Sequence, residues 1–364
     1  MLDTIEKRAA ERQRLVPFDV EIAAVATAVP ANTVTQEELK ARARELYPQF
    51  AHIDTLYSNT GIEKRYFCEA REWYLTPHTW EERTAAFHKH ALPLLERVAA
   101  DAVAEAGLRF DEIDAVVVNT ITGLAVPSLD ARLMNRLPFA PHTERLPIFG
   151  FGCGGGVAGL ARASRLARTM PGGNVLFLTV DLCTLCLRIN DPNIAMFVSG
   201  ALFGDGAAAV VLRNTGGTAA PALKGRIAAT GDHFWADTEH IMGWDVRNDG
   251  FGVVLSVHLP ALMEERFGPA LDAFLERNGL TRDDLEGLLL HPGGGKILDV
   301  ADRILGLAPD ALKPSRDTLR NYGNMSSATA LFVLKNALES GRKGRHLLAA
   351  FGPGFSAYFM ILDL

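Results

Sequence analysis

The chain has 364 residues, with 37 Lys and Arg against 43 Asp and Glu, a formal net charge of −6. This acidic balance, without a dense Lys/Arg block, argues against nucleic acid as the main partner, because a phosphate-tracking surface needs a basic excess or stripe. With 48% hydrophobic residues the chain can bury a large core and is not disordered, and its length suits two domains or one large one. Four cysteines, Cys68, Cys153, Cys183 and Cys186, are too few for a disulfide framework and fit a reducing cytoplasm. Met1 to Leu15 is charged throughout and lacks the apolar centre of a signal peptide.

Along the chain, Thr35 with Glu38 forms a capping box for a helix through Leu46. Thr79 caps a second helix from Trp80 to about Ala106, bent at Pro93. The segment AEAGLRFDEIDAVVVN (Ala104 to Asn119) then reads as a helix end, a Gly-Leu stop, an acidic cluster and a strand at Val116 to Val118. ERNGLTRDDLEGLLLH (Glu276 to His291) repeats that order 172 residues later, after a helix over Leu262 to Asn278 and with its strand at Leu288 to Leu290. Gly152-Cys153 and Gly323-Asn324 each open a small-residue helix followed by a strand, Asn174 to Thr179 and His346 to Phe351. Landmarks holding one offset indicate a duplication. The continuous apolar strands between amphipathic helices predict an α/β protein with sheets covered on both faces, its halves spanning 1–214 and 215–364. The long apolar window Ile194 to Leu212 carries Asp205 and three glycines, so it reads as buried core and no membrane span is expected.

The clustered glycines mark candidate chemistry. Cys153 lies at a strand-to-helix corner, between an apolar run ending near Phe149 and a helix over Gly159 to Met170. Unpaired N–H groups at such a corner favour a thiolate and can lower a cysteine pKa from about 8.5 into the range of roughly 3.5–7.5. Gly150, Gly152 and Gly155 also match a dinucleotide fingerprint, with Asp181 as its ribose acid, and an inert buried cysteine among packing glycines fits equally well. A hydrolase nucleophile elbow fails, because Phe151 stands where glycine is required. His291 ends a strand before a glycine-rich loop, and Asn324 is either a helix N-cap or a site residue. The duplication pairs Asn324 with Cys153 and His291 with Asn119, and so brings the two corners together. Cys183 and Cys186 have C-x-x-C spacing without a second pair; on a strand they face opposite sides, so no metal is expected.

The motifs FGCGGGVAGL, LFGDGAAAVVL, HPGGGKILD, YGNMSSAT and FGPGF, in this order from Phe151 to Phe355, resemble the type III polyketide synthases, the chalcone-synthase-like branch of the thiolase fold. The resemblance runs from about Val20 to Leu364. It implies a five-layered αβαβα fold of two pseudo-repeated halves, and a catalytic triad of Cys153, His291 and Asn324. It further implies Phe203 as an aromatic gatekeeper, a cavity lined by Cys186, Val253 and Ile121, and a floor shaped by Gly352, Pro353 and Gly354. Val126 matches a position that reaches across a dimer interface. Asn59 stands where plant members carry a lysine on the CoA phosphate, with Lys64 and Arg65 as substitutes to be tested.

The resemblance implies a cytoplasmic homodimer that uses acyl-CoA and malonyl-CoA as substrates, with no metal or redox cofactor. Cys153 would take the acyl starter, and His291 with Asn324 would stabilise the enolate formed as malonyl-CoA loses CO2. The segment Met242 to Val246 and the non-aromatic Val253 resemble microbial members that make alkylresorcinols or alkylpyrones from fatty acyl-CoA. Two alternatives stay open: a single-round condensing enzyme of the ketoacyl synthase III type, and a non-catalytic dinucleotide-binding module.

Overall fold

The computed structural model describes residues 20–50, 52–216 and 223–364, so the charged stretch Met1 to Leu15 lies outside the described residues. In chain order the strands are β1 (Val20–Ala28), β2 (Asn32–Thr35), β3 (Lys64–Phe67), β4 (Ala115–Asn119), β5 (Glu144–Ile148), β6 (Asn174–Leu182), β7 (Asp205–Asn214), β8 (Gly225–Phe234), β9 (Met242–Arg247), β10 (Gly250–Leu255), β11 (Gly287–Leu290), β12 (Arg345–Gly352) and β13 (Ser356–Asp363). Nine of them form one sheet in the order β11-β12-β13-β8-β1-β7-β6-β4-β5. β1 and β8 pair only at Glu21 with Arg226 and Ile22 with Gly225. The sheet therefore divides there into two lobes of like construction: β4 runs parallel to β6, β11 parallel to β12, and the strands that follow are antiparallel.

Alternation along the strands explains the layers. On β6, Val175 and Phe177 face the centre while Leu176, Leu178 and Val180 face outward. On β12, Leu348 and Ala350 face the centre while Leu347 and Ala349 face outward. The helices Gly155–Ala167 and Ser327–Glu339 fill the centre between the lobes. Trp80–Glu105 covers one outer face and Leu259–Arg277 the other, giving five layers. Because both faces of these strands are buried, they read as unbroken apolar runs. The outer helix starts as its sequence requires: Thr79 Oγ1 accepts from Glu82 N–H at 3.2 Å, and Glu82 accepts from Thr79 N–H at 2.8 Å. The box at Thr35 and Glu38 is formed likewise.

Three local expectations are corrected. The helix after Cys153 begins at Gly155 and ends at Ala167, several residues earlier than Gly159 to Met170. Its first glycines leave no room for side chains, because a Cβ would meet the Asn119 side chain at Gly155 and the Ser327 backbone at Gly156. Cys183–Cys186 forms a single 3-10 turn and not a strand, so these cysteines do not face opposite sides of a sheet. Asn324 is not an N-cap, since the helix Ser327–Glu339 starts three residues later. The window Ile194 to Leu212 divides into the helix Ile194–Leu202 and β7, and among the described residues no helix is long and apolar enough to cross a membrane.

Where the two central helices meet, space is the constraint. A Cβ on Gly156 would fall on the Ser327 carbonyl oxygen, and a Cβ on Gly152, whose φ is +49°, would lie 2.6 Å from Pro353 Cδ. Gly156→Ala is expected to destabilise the fold by about 1–3 kcal/mol through overpacking, measured as a lower urea midpoint. A wild-type midpoint would show that the helices can separate at no cost.

Candidate active site

Three chain reversals converge on one space. Cys153 sits in the 3-10 turn Gly152–Gly154 that leads into the helix Gly155–Ala167. His291 follows β11 directly, and its N–H donates to Ala349 O at 2.8 Å, extending the parallel ladder by one residue. Asn324 forms a short bridge beside Phe203: its N–H donates to Leu202 O at 2.9 Å, and its carbonyl accepts from Gly204 N–H at 3.0 Å. The side chains of Cys153, His291, Asn324 and Phe203 line one cavity of about 60 Å³. The rest of its wall is apolar, including Met242, Leu255, Met263 and Phe355.

The amide of Asn324 is held in a definite orientation. Its Oδ1 accepts from Ser326 N–H at 2.8 Å, and its Nδ2 donates to Gly293 O at 3.3 Å. One amide hydrogen therefore remains available to a ligand. His291 is 2% exposed, and neither ring nitrogen has a hydrogen-bond partner among the described residues. Burial holds its pKa down to about 3, so at neutral pH the ring is uncharged.

Cys153 lies on the cavity wall and is partly exposed, with most of its surroundings protein. Burial pushes its thiol up to about 11; the Ser326 hydroxyl and the Asn324 amide oppose that, while the Asp181 charge adds to it. This reverses the expectation drawn from the helix corner, because loss of hydration outweighs the backbone N–H groups. Were the thiol proton to pass to His291, the resulting pair of opposite charges would offset part of the desolvation that otherwise opposes it. His291→Ala is therefore expected to move the pH profile of Cys153 alkylation by iodoacetamide toward alkaline pH. Each unit of displacement lowers the thiolate fraction at pH 7 about tenfold. An unchanged profile would mean that His291 does not accept the proton.

The remaining sequence candidates fall around this centre. Ile121, Val253 and Pro353 line an adjoining cavity of about 40 Å³ shared with Cys153 and Phe203. Pro353 forms that wall, whereas Gly352 and Gly354 flank it. Cys186 is displaced from its expected place: it lines a separate cavity of about 20 Å³ behind Phe251, and Cys183 occupies the Cys153 cavity instead. A surface groove of about 420 Å³ shares Leu202, Leu255, Gly293 and Ile297 with the catalytic cavity and carries Asn59 and Lys296. Arg65 cannot serve a phosphate there, because it is fully buried and donates to Gly200 O, Phe203 O and Gln36. Lys64 is not on the groove wall. A larger groove, about 480 Å³ beside Leu39 and Leu187, shares no wall residue with either space.

The dinucleotide reading fails on geometry. Gly152 is covered by Pro353, a Cβ on Gly155 would lie 2.6 Å from Asn119 Nδ2, and Asp181 is buried among five donors. Two site residues were not singled out, although both lie within motifs named above. Ser326, at φ +50°, lies against the Cys153 thiol, and Trp244 closes the adjoining cavity. Val126 is 95% exposed.

The comparisons agree with this architecture. The profile of the chalcone and stilbene synthases matches in both parts, the N-terminal domain over residues 8–215 and the C-terminal domain over 226–363. A 1,3,6,8-tetrahydroxynaphthalene synthase of Streptomyces peucetius subsp. caesius is 37% identical over 363 residues, covering 97% of this chain and 95% of that protein. An alpha-pyrone synthesis polyketide synthase-like protein, Pks18, of Mycobacterium tuberculosis is 28% identical over 358 residues, covering 94% and 91%. The crystal structure of the 1,3,6,8-tetrahydroxynaphthalene synthase of Streptomyces coelicolor A3(2) superposes with a TM-score of 0.88 at 31% identity, covering 94% of this chain and 99% of that one. The chain has the thiolase-like fold and belongs to the chalcone and stilbene synthase family, as a type III polyketide synthase that condenses malonyl-CoA iteratively.

Proposed function

We propose that Cys153 carries the growing chain, that His291 and Asn324 stabilise the enolate, and that the starter is a fatty acyl-CoA closed to an alkylresorcinol or alkylpyrone. The observation that carries this reading is a cavity with three convergent polar groups in an otherwise apolar wall. Cys153 passes its proton to His291 and attacks the acyl thioester; the carbon–sulfur bond to CoA breaks, and the departing thiolate takes the proton back. Malonyl-CoA then places its thioester oxygen between a His291 N–H and the free hydrogen on Asn324 Nδ2. As the bond to CO2 breaks, charge moves onto that oxygen, where pre-oriented donors in a dry cavity act strongly. The enolate carbon attacks the acyl group on Cys153, the sulfur departs, and the lengthened chain, now on CoA, returns to Cys153.

The apolar wall suits a hydrocarbon chain, and the mycobacterial relative's description as an α-pyrone enzyme agrees with one of the two products. A second reading, a starter derived from malonyl-CoA itself, is favoured by the small volumes of about 60 and 40 Å³. Family membership sets aside the single-round ketosynthase III reading. We further propose a homodimer built on the exposed apolar residues Leu124, Val126 and Phe149 beside β5, an edge strand.

Incubating the enzyme with malonyl-CoA alone, or with acetyl-, benzoyl- and octanoyl- to stearoyl-CoA, tests the starter by product mass. The expected result is alkyl triketide and tetraketide products from the long acyl-CoAs. A product formed from malonyl-CoA alone, unaffected by any acyl-CoA, would establish the second reading.

A further inference from the structure

The groove of about 480 Å³ beside Leu39 and Leu187 lies apart from the catalytic centre and takes no part in the chemistry above. The helix Ile194–Leu202 separates it from the groove that carries Lys296: Met196 and Gly200 line the first space, Ile194, Val198 and Leu202 the second. Its volume falls within the range of small-molecule sites, roughly 300–1,000 Å³. One wall is the helix Gln36–Leu46, whose Leu39, Ala43 and Leu46 recur at helical spacing and form an apolar strip about 10 Å long. Leu75, Leu187 and Met196 add to the apolar lining, and at the far end the Tyr47 hydroxyl donates to Ile189 O at 2.9 Å.

The near end is charged. Arg42 and Arg71 flank Glu38 there: Arg42 stands one turn along the same helix, and the Glu38 carboxyl is held below its usual range by its hydrogen bonds from Thr35 and, more weakly, by the field of Arg71. Both carboxylates of the wall are engaged. Glu38 accepts from the Thr35 N–H and hydroxyl at 2.7 Å each, and Glu69 accepts from Lys89 at 2.9 Å and from His90 at 2.8 Å. The two guanidiniums keep donors to spare. Arg42 bonds Glu45 through Nη1 while its buried Nε has no acceptor, and the Arg71 side chain makes no hydrogen bond or ion pair among the described residues. A buried donor without an acceptor is costly, so this end of the groove favours an anion.

We propose that this groove is a second binding site, which takes a free straight-chain fatty carboxylate with its head between Arg42 and Arg71 and its tail along Leu39, Ala43 and Leu46. A guanidinium suits a carboxylate because its fork of N–H groups matches the two oxygens. The apolar strip runs on from that end, so each methylene laid along it leaves water. The site is independent of which starter the enzyme takes, since it shares no wall residue with the Cys153 cavity or with the groove beside Lys296.

The test is calorimetric titration of the full chain with decanoate below its micelle concentration, repeated with hexanoate, with 1-decanol, and with decanoate in the presence of saturating CoA. Decanoate is expected to bind once per chain, and hexanoate at least about tenfold more weakly because it lacks four methylenes. 1-Decanol, which keeps the tail and lacks the charge, is expected to bind about tenfold more weakly. Arg71→Gln, at an exposed position, is expected to weaken decanoate by a similar factor. No decanoate binding overturns the proposal, and so does wild-type affinity in Arg71→Gln. 1-Decanol binding as tightly as decanoate overturns the carboxylate assignment without recourse to any variant. Competitive displacement of decanoate by CoA places the ligand in the catalytic site and overturns the second site.

Discussion

Asp181 is buried in the centre of the molecule, and its two oxygens face different parts of the chain. Oδ1 accepts from Ile121 N–H at 2.8 Å and from the hydroxyls of Thr120 and Thr122; Oδ2 accepts from Ser327 N–H at 3.0 Å and from the Ser327 hydroxyl. Burial raises its pKa, and those hydrogen bonds oppose the rise. A buried carboxylate so fully bonded is a clip, since separating either partner would leave charged and polar groups unsatisfied in a dry interior. The loop leaving β4 and the start of the helix Ser327–Glu339 are thereby held at one distance from each other. Asn324 stands just before the helix that the clip fastens, and Ile121 of the fastened loop lines a cavity with Cys153. Ser326, at φ +50°, lies in a region few non-glycine residues occupy. Such strain costs on the order of 1–3 kcal/mol, and here it is held in place by Asn324 Oδ1 on one side and the Asp181 clip on the other.

The same dryness sets the electrostatics. Burial keeps Cys153 protonated and His291 neutral, so the empty cavity holds no net charge on either group. Charge develops only when a proton moves from one to the other, or when an oxygen becomes negative between His291 and Asn324. In a medium of low effective dielectric each fixed donor then acts more strongly than it would in water. Gly156 belongs to this arrangement, because its small size lets the two central helices approach closely.

How much of this was legible in the sequence differs from element to element. β4 and β11 could be read because a strand buried on both faces is an unbroken apolar run, and the helix Trp80–Glu105 because its cap is a local hydrogen-bond pattern. The start at Gly155 was misread, since glycine signals a loop unless a neighbouring group, here the Asn119 side chain, requires its small size. The Cys183–Cys186 turn was taken for strand because its apolar content continues β6. Cys153, His291 and Asn324 were found through motif resemblance joined to the repeat, and the structure places them around one cavity. Ser326 and Trp244 were missed because each depends on partners more than a hundred residues away, Cys153 for one and Ile121 for the other. The direction of the Cys153 pKa was misjudged for a related reason: a helix corner is visible in sequence, and desolvation by distant segments is not.

If the three site residues divide the chemistry as proposed, decarboxylation needs His291 and Asn324 but not the nucleophile. The direct test is release of CO2 from malonyl-CoA without a starter, compared between Cys153→Ala and Asn324→Ala. The expected result is that Cys153→Ala still releases CO2 while forming no polyketide, and that Asn324→Ala releases it roughly 100- to 1000-fold more slowly than wild type. Wild-type CO2 release by Asn324→Ala, or equal loss in both variants, would contradict that division of labour.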